Sequence, residues 1–270
     1  MNMLHPIEYI ISLGRVESPF RYLLSRLLLK TGLYRVLTIK TNGYKLHYYN
    51  TAISSELWIN PQKRKYEMLS FIKAGDTIID VGANIGTTVI PSALATGKTG
   101  VVLAFEAHPE TFEFLRGNIK LNNLKNVTAF NFALGEKEGD ATISDIDDDD
   151  QNHVMRDKNG KLVKLAPLDN FTKKLEIINL LKIDVEGYEL FVLQGAEETL
   201  KKTKIVNIEI SEKHFAKFGY SCSDVINLLA SYNFECFREE NGNCSTKINS
   251  EYIQSMMYEN IIAKKIIIGE

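Results

Sequence analysis

The chain has 270 residues, 44% hydrophobic and 24% charged, with only 3 cysteines, so a disordered chain, a collagen-like fibre and a disulfide-stapled scaffold are excluded. Its length suits one large α/β domain or two small ones, and a formal net charge of −2 offers no global basic field to nucleic acid. No apolar run reaches the roughly 18 residues that span a bilayer, and the N-terminal stretch, broken by His5, Glu8 and Arg15, has no cleavage pattern, so the chain is read as cytoplasmic.

The first predicted element is an amphipathic helix over 20–29. Phe20, Leu23, Leu24, Leu27 and Leu28 share one stripe, with Arg21, Arg26 and Lys30 off it. Residues 1–40 carry six basic side chains against two acidic ones, a pattern that also suits a helix lying on an anionic membrane surface. A lid helix packing on the main domain is favoured over membrane-surface contact. Asn42-Gly43, between β-prone runs over 35–40 and 44–49, predicts a hairpin. Residues 1–60 are therefore expected to form a helix-and-hairpin extension of a domain over 61–270. Tyr44, Tyr48, Tyr49 and Trp58 are read as hairpin packing rather than as a platform for a sugar face.

From residue 76 the pattern becomes strand, turn, helix, repeated. Strands are predicted over 77–81, 101–106, 127–134, 180–185 and 204–210, with helices over 85–95, from Pro109 through Leu121, 190–200 and 224–230. A closing pair near 234–238 and 260–267, joined by a polar loop of Asn, Gly and Ser, is expected to be antiparallel. Apolar strands alternating with helices imply an α/β, Rossmann-like, doubly wound and mostly parallel sheet covered on both faces. Cys222, Cys236 and Cys244 make no C-x-x-C pair and leave an odd thiol, in keeping with a reducing cytosol.

The densest motif, Asp80-Val-Gly-Ala-Asn-Ile-Gly86, falls where the first of these strands turns into its helix and reads D-x-G-x-N-x-G. Glycine lets the backbone bend and approach a ligand, and open amides at a helix start can face it. A dinucleotide site would instead carry G-x-G-x-x-G, which this turn lacks. Glu106, at the end of the next strand, is placed to accept both hydroxyls of a ribose. The second dense segment is Leu181-Lys-Ile-Asp-Val-Glu-Gly-Tyr-Glu-Leu190. In a doubly wound sheet its strand returns beside the first, which sets Asp184 and Glu186 opposite the turn at Gly82. Lys182, amid Leu181 and Ile183, needs a carboxylate partner if buried and is assigned to structural pairing. The acidic run of Asp145 and Asp147 to Asp150, with Gln151, Asn152 and His153, lacks the glycine and glutamate of a calcium loop. It is read as a solvated loop at the rim of the site, and no metal site is expected.

These residues resemble the FkbM family of S-adenosylmethionine-dependent methyltransferases. The resemblance covers about residues 55–210: Leu57-Trp58, Gly75-Asp76, the 80–86 motif, Phe105-Glu106 with Pro109, Ala133-Leu134, Lys182-Ile-Asp-Val-Glu-Gly187 with Glu189, and Gly195-Ala196. One departure is Ala107, where the family usually has proline. The resemblance implies a seven-stranded class I methyltransferase sheet and S-adenosyl-L-methionine as cofactor. It places Asp80, Gly82, Asn84 and Gly86 at the methionine end of the donor, Glu106 at the ribose, and Asn131 and Ala133 at the border of the adenine. It also implies O-methylation of a saccharide or similar small-molecule hydroxyl; the lack of a basic field separately gives no nucleic-acid partner. Because the donor already carries an activated methyl group, the chain needs to orient the acceptor and take up one proton. Asp184 and Glu186 are the first candidates for that proton by position, and His214 the third. Two other readings stay open: an NAD(P)-dependent oxidoreductase on a similar sheet, disfavoured by the missing glycine fingerprint, and a non-catalytic methyltransferase-like binding module. Acceptor identity and oligomeric state are not legible.

Overall fold

The computed structural model describes residues 24, 27–28, 31, 37–61, 66–144, 153–155, 160–240, 243–249, 252–253 and 258–266. The chain divides into two compact units, residues 1–65 with 147–150, and residues 66–146 with 151–270. The acidic run over 145–152 lies outside the described residues.

In the first unit β1 (Thr38–Thr41) and β2 (Tyr44–His47) form the expected hairpin, with Thr41 opposite Tyr44. Asn42 and Gly43 both have positive φ, 43° and 88°, which is what a two-residue turn matched to the strand twist demands. Ile39, Thr41, Tyr44 and Leu46 are buried while Lys40 and Lys45 face out. Helix α1 (Ala52–Ile59) begins at Thr51, whose hydroxyl accepts the Ser54 amide at 3.0 Å. Tyr44 and Tyr48 are buried, and Trp58 meets Tyr48 edge to face with ring centroids 5.8 Å apart. These aromatics therefore pack the hairpin and helix. Of the predicted amphipathic stripe, Leu24, Leu27 and Leu28 are described and helical, and Leu27 is 58% exposed. Phe20 and Leu23 lie outside the described residues.

The second unit runs, in chain order, a 3₁₀ turn (Glu67–Phe71), β3 (Thr77–Val81), α2 (Val89–Thr96), β4 (Val101–Phe105), α3 (Pro109–Leu121), β5 (Val127–Phe130), β6 (Ala133–Leu134), β7 (Gly139–Ile143), β8 (Val154–Met155) and β9 (Lys161–Ala166). It continues with α4 (Asp169–Thr172), β10 (Ile178–Ile183), α5 (Glu189–Gln194), α6 (Glu197–Lys201), β11 (Thr203–Ser211), α7 (Glu212–Ala216), α8 (Cys222–Ser231), β12 (Phe234–Glu240), β13 (Asn243–Lys247) and β14 (Tyr258–Lys265). The main sheet has the order β13-β12-β14-β11-β10-β3-β4-β5. Strands β5, β4, β3, β10 and β11 are parallel, and β14 runs antiparallel between β11 and β12. Seven of these eight strands are the expected ones; β13 adds an edge strand out of the polar loop. Side chains alternate between the two faces: Ile79, Val81, Leu181 and Ile183 enter one core, Ile78 and Leu180 the other. Asp80 and Lys182 share the face of Ile78 and Leu180 and sit opposite each other in register.

Three element boundaries differ from expectation. The strand foreseen over 127–134 is two: β5 stops at Phe130, and β6 joins a second sheet ordered β6-β9-β7-β8. Asn131 between them donates its side-chain amide to the carbonyls of Glu106 and Ala107 at 2.8 and 2.9 Å, which turns the chain. The helix foreseen over 85–95 starts only at Val89. The helix foreseen over 190–200 breaks at Gly195-Ala196, where a Cβ on Gly195 would stand 2.0 Å from the Gly135 carbonyl oxygen. No helix among the described residues is long and apolar enough to cross a membrane.

Candidate active site

The chain leaves β3 outward through β4 and β5 and returns at β10, so a crevice opens beyond the carboxyl ends of β3 and β10. Gly82, Asn84 and Gly86 in the turn after β3 have φ of 78°, 47° and 96°. Gly82 has a further reason to be glycine. A Cβ there would stand 1.8 Å from the Asp184 carbonyl oxygen, so the end of β10 runs directly against the turn. On Gly86 it would stand 2.9 Å from Leu115 Cδ1. Both glycines thus admit close protein contacts.

The amides of residues 82–86 are bonded within the protein. Gly82 and Ala83 donate to the Phe105 carbonyl at 3.0 and 2.9 Å, and Gly86 donates to Ala83 at 2.9 Å. The Asn84 amide donates to Glu106 Oε2 at 2.8 Å and the Ile85 amide to Asn84 Oδ1 at 2.6 Å. Because α2 begins late, the turn folds its amides back onto the end of β4. Asp80, 1% exposed, accepts the Thr88 hydroxyl and lies 3.2 Å from Lys182 Nζ. Lys182 also lies 3.3 Å from Asp184 Oδ2 and donates to the Gly82 carbonyl at 3.1 Å. Burial pushes the Asp80 carboxyl up against the pull of Lys182. For Lys182 burial would lower the pKa, but the charges of Asp80 and Asp184 outweigh it and hold the ammonium ionised. Lys182 thereby clamps the turn to both strand ends, the pairing that its burial required.

Glu106 follows β4 and is 8% exposed. Its Oε1 accepts the His108 amide and its Oε2 the Asn84 amide, each at 2.8 Å. Burial lifts its carboxyl to about 7 against the pull of these two amides. Each oxygen keeps lone-pair capacity after its amide bond, so the carboxyl has the chemistry to take a ribose diol. Asn131 braces the backbone of Glu106 from the turn after β5. Ala133 is buried in the core of the second sheet with Ile143, Val163 and Leu165.

At the end of β10, Glu186 and Gly187 have φ of 55° and 110°. A non-glycine residue holds that conformation only where its surroundings impose it. Glu189, 1% exposed, does so: its carboxylate accepts the Val185 amide at 3.0 Å and the Gly187 amide at 2.9 Å, and Tyr220 donates to the Gly187 carbonyl at 2.7 Å. A Cβ on Gly187 would stand 3.1 Å from His214 Cβ, so α7 packs on this turn. Glu186 Oε2 consequently lies 3.1 Å from His214 Nδ1. Burial first, then Lys217, His153 and Lys213, lower the pKa of His214 and favour the neutral imidazole. Thus Asp184, Glu186 and His214 lie along one strand end and the helix packed on it.

Glu209 of β11 joins them and was not among the residues singled out from sequence. It is 7% exposed, its Oε1 accepts the Tyr258 hydroxyl, and its Oε2 is buried without a hydrogen-bond partner among the described residues. Burial, and next the charge of Asp184, lift its carboxyl to about 7. One ligand atom from each of Glu186, Glu209 and His214 falls within 4.8 Å of the others. The signal that could have found Glu209 is the one that found Lys182: a charge inside an apolar strand.

The strand order, the glycine turn after β3 and the acid after β4 define a class I S-adenosylmethionine-dependent methyltransferase. The sequence profile of the Methyltransferase FkbM domain matches residues 80–236, more than half of the chain, and the chain belongs to that family. It is 27% identical over 211 residues to the hexuronic acid methyltransferase AglP of Haloferax volcanii, covering 75% of this chain and 83% of that protein. It is 30% identical over 146 residues to methyltransferase 1 of Beauveria bassiana, covering 45% of this chain and 58% of that protein. An O-methyltransferase structure from Thermotoga maritima is 15% identical with a TM-score of 0.45, covering 87% of this chain and 79% of that one. Family membership sets aside the nicotinamide-dependent reading.

Proposed function

We propose that the chain transfers a methyl group from S-adenosylmethionine to a hydroxyl of a saccharide or a similar small molecule. One observation carries this: Glu186 and His214 lie 3.1 Å apart beside the end of β10, the strand next to the one whose end carries the glycine turn. Proton-accepting groups and the donor turn then face one crevice. The bound donor supplies a methyl carbon on a positively charged sulfur. Glu106 takes the ribose, the 82–86 turn the methionine end, and Asn131 positions the loop that carries Glu106. Asp184, whose side chain is 39% exposed while its partner Lys182 is buried, receives the hydroxyl proton. Glu186 and His214 hold the acceptor hydroxyl on the same side of the crevice. A saccharide acceptor is supported by the hexuronic acid methyltransferase among the relatives and by the absence of a global basic field.

The test is incubation of the full chain with methyl-labelled donor and an extract of the source cell, followed by identification of the labelled product. A methyl ether on a saccharide or other small polyhydroxylated molecule is expected. Label on nucleic acid or protein, or no transferred label, would overturn the proposal.

A further inference from the structure

Glu186, Glu209 and His214 come from three elements: the turn after β10, β11 and α7. Nothing in local sequence brings them together, yet one atom of each lies within 4.8 Å of the other two. Glu209 is more than nine-tenths buried, one of its carboxylate oxygens belongs to this group, and its Oε2 has no hydrogen-bond partner among the described residues. A buried carboxylate oxygen left in that state is costly, and native structures supply such a group with a donor, a water or an ion. We propose that these three side chains form a binding site for one divalent cation of the Mn²⁺ type.

The donor set selects the class of ion. Two carboxylates suit hard cations such as Mg²⁺, Ca²⁺ and Mn²⁺, whereas an imidazole suits first-row transition ions, and Mn²⁺ is common to both preferences. Ligands about 2.1–2.4 Å from an ion stand roughly 3–5 Å apart, depending on the angle between them, so closure needs modest side-chain shifts. Two carboxylates and a neutral imidazole balance a dication. The Tyr258 hydroxyl occupies Glu209 Oε1 and leaves Oε2 for an ion, as outer hydrogen bonds do around metal ligands. Three protein ligands leave coordination positions for the acceptor.

The use of the ion rests on the methyl-transfer reading above. A hydroxyl bound to the cation loses its proton more readily. That proton passes to the Asp184 carboxylate, the oxygen forms its new bond to the methyl carbon, and the carbon–sulfur bond breaks to leave a neutral thioether. Charge and atoms balance without a further reactant.

The test is titration of the full chain with Mn²⁺ alone, following loss of the free-ion signal by electron paramagnetic resonance, beside calorimetric titration with S-adenosylmethionine. One Mn²⁺ per chain is expected, with Glu209→Gln, His214→Ala and Glu186→Gln each weakening it at least tenfold and Glu209→Gln leaving donor affinity unchanged. Glu186, less buried than Glu209, covers the case in which Glu209→Gln does not fold. No Mn²⁺ bound, or equal binding by the wild type and all variants, would overturn the site; the second result would place the ion elsewhere, as on the 145–150 run. Normal Mn²⁺ binding without donor binding would support the cation site and remove the methyl-transfer reading.

Discussion

Glu106 is asked to serve the protein and a ligand with one carboxyl group. It holds the Asn84 and His108 amides and has lone pairs left over. Hydrogen bonds to a charged group contribute about 1.5–3 kcal/mol each, so Glu106→Ala is expected to weaken donor binding at least tenfold by calorimetry. Unchanged affinity in a folded variant would remove the residue from the donor site. The same carboxyl sets a pH dependence. Burial raises it from the usual 4.5 to about 7, so between these values the folded chain keeps a proton that the unfolded chain has released. Stability contributed by that proton is present below pH 4.5 and lost as pH rises towards 7, by about 3 kcal/mol at ~1.36 kcal/mol per unit. Urea unfolding of donor-free protein should show a shallower decline across that window for Glu106→Gln than for the wild type. Parallel curves would mean that Glu106 is not the group holding the proton.

Among the elements, the meeting of the β3 turn with the end of β10 decides whether a site exists at all. Gly82→Ala places a Cβ 1.8 Å from a backbone oxygen and adds a positive-φ penalty, and no flexible side chain can yield. A loss of at least about 2 kcal/mol is expected, seen as a melting temperature lowered by several degrees. Gly195 tests the second sheet in the same way. Its φ is an ordinary −86°, so the objection to alanine is steric: the Gly135 carbonyl oxygen would stand 2.0 Å and Pro167 Cα 3.2 Å from the added carbon. Gly195→Ala should therefore also lower the melting temperature, and an unchanged value would show that the helix break does not depend on contact with the strand.

For the whole molecule, the two units raise the question of what residues 1–65 do. Among the described residues, both core clusters of the large sheet are built from residues beyond Tyr66, including Met68, Leu115, Ile183 and Val225. Against the lid reading, a chain beginning at Tyr66 is thus expected to fold and to bind S-adenosylmethionine with an affinity close to that of the full chain. Unfolding or aggregation of the shortened chain would show that the first unit completes the second. Salt-sensitive binding of the full chain to anionic vesicles would instead favour the surface helix over the lid.

Sequence alone determined the parallel sheet, the hairpin at Asn42-Gly43, the glycine turn and the acid at 106, because each is written in neighbouring residues. Periodicity, turn chemistry and burial along one strand are local quantities, and local quantities survive without a fold. It also supplied Asp184, Glu186 and His214 as separate candidates. Tertiary structure decided the rest. It ended β5 at Phe130 because Asn131 bonds to a loop 24 and 25 residues earlier, and it required glycine at the helix break because the distant backbone of Gly135 occupies the space of a side chain at Gly195. It closed the amides of the 82–86 turn onto β4, and it set Glu209 and His214 against Glu186 across three elements. Such meetings depend on strand order and register, which bring together residues far apart in the chain, and no pattern within a single segment encodes them.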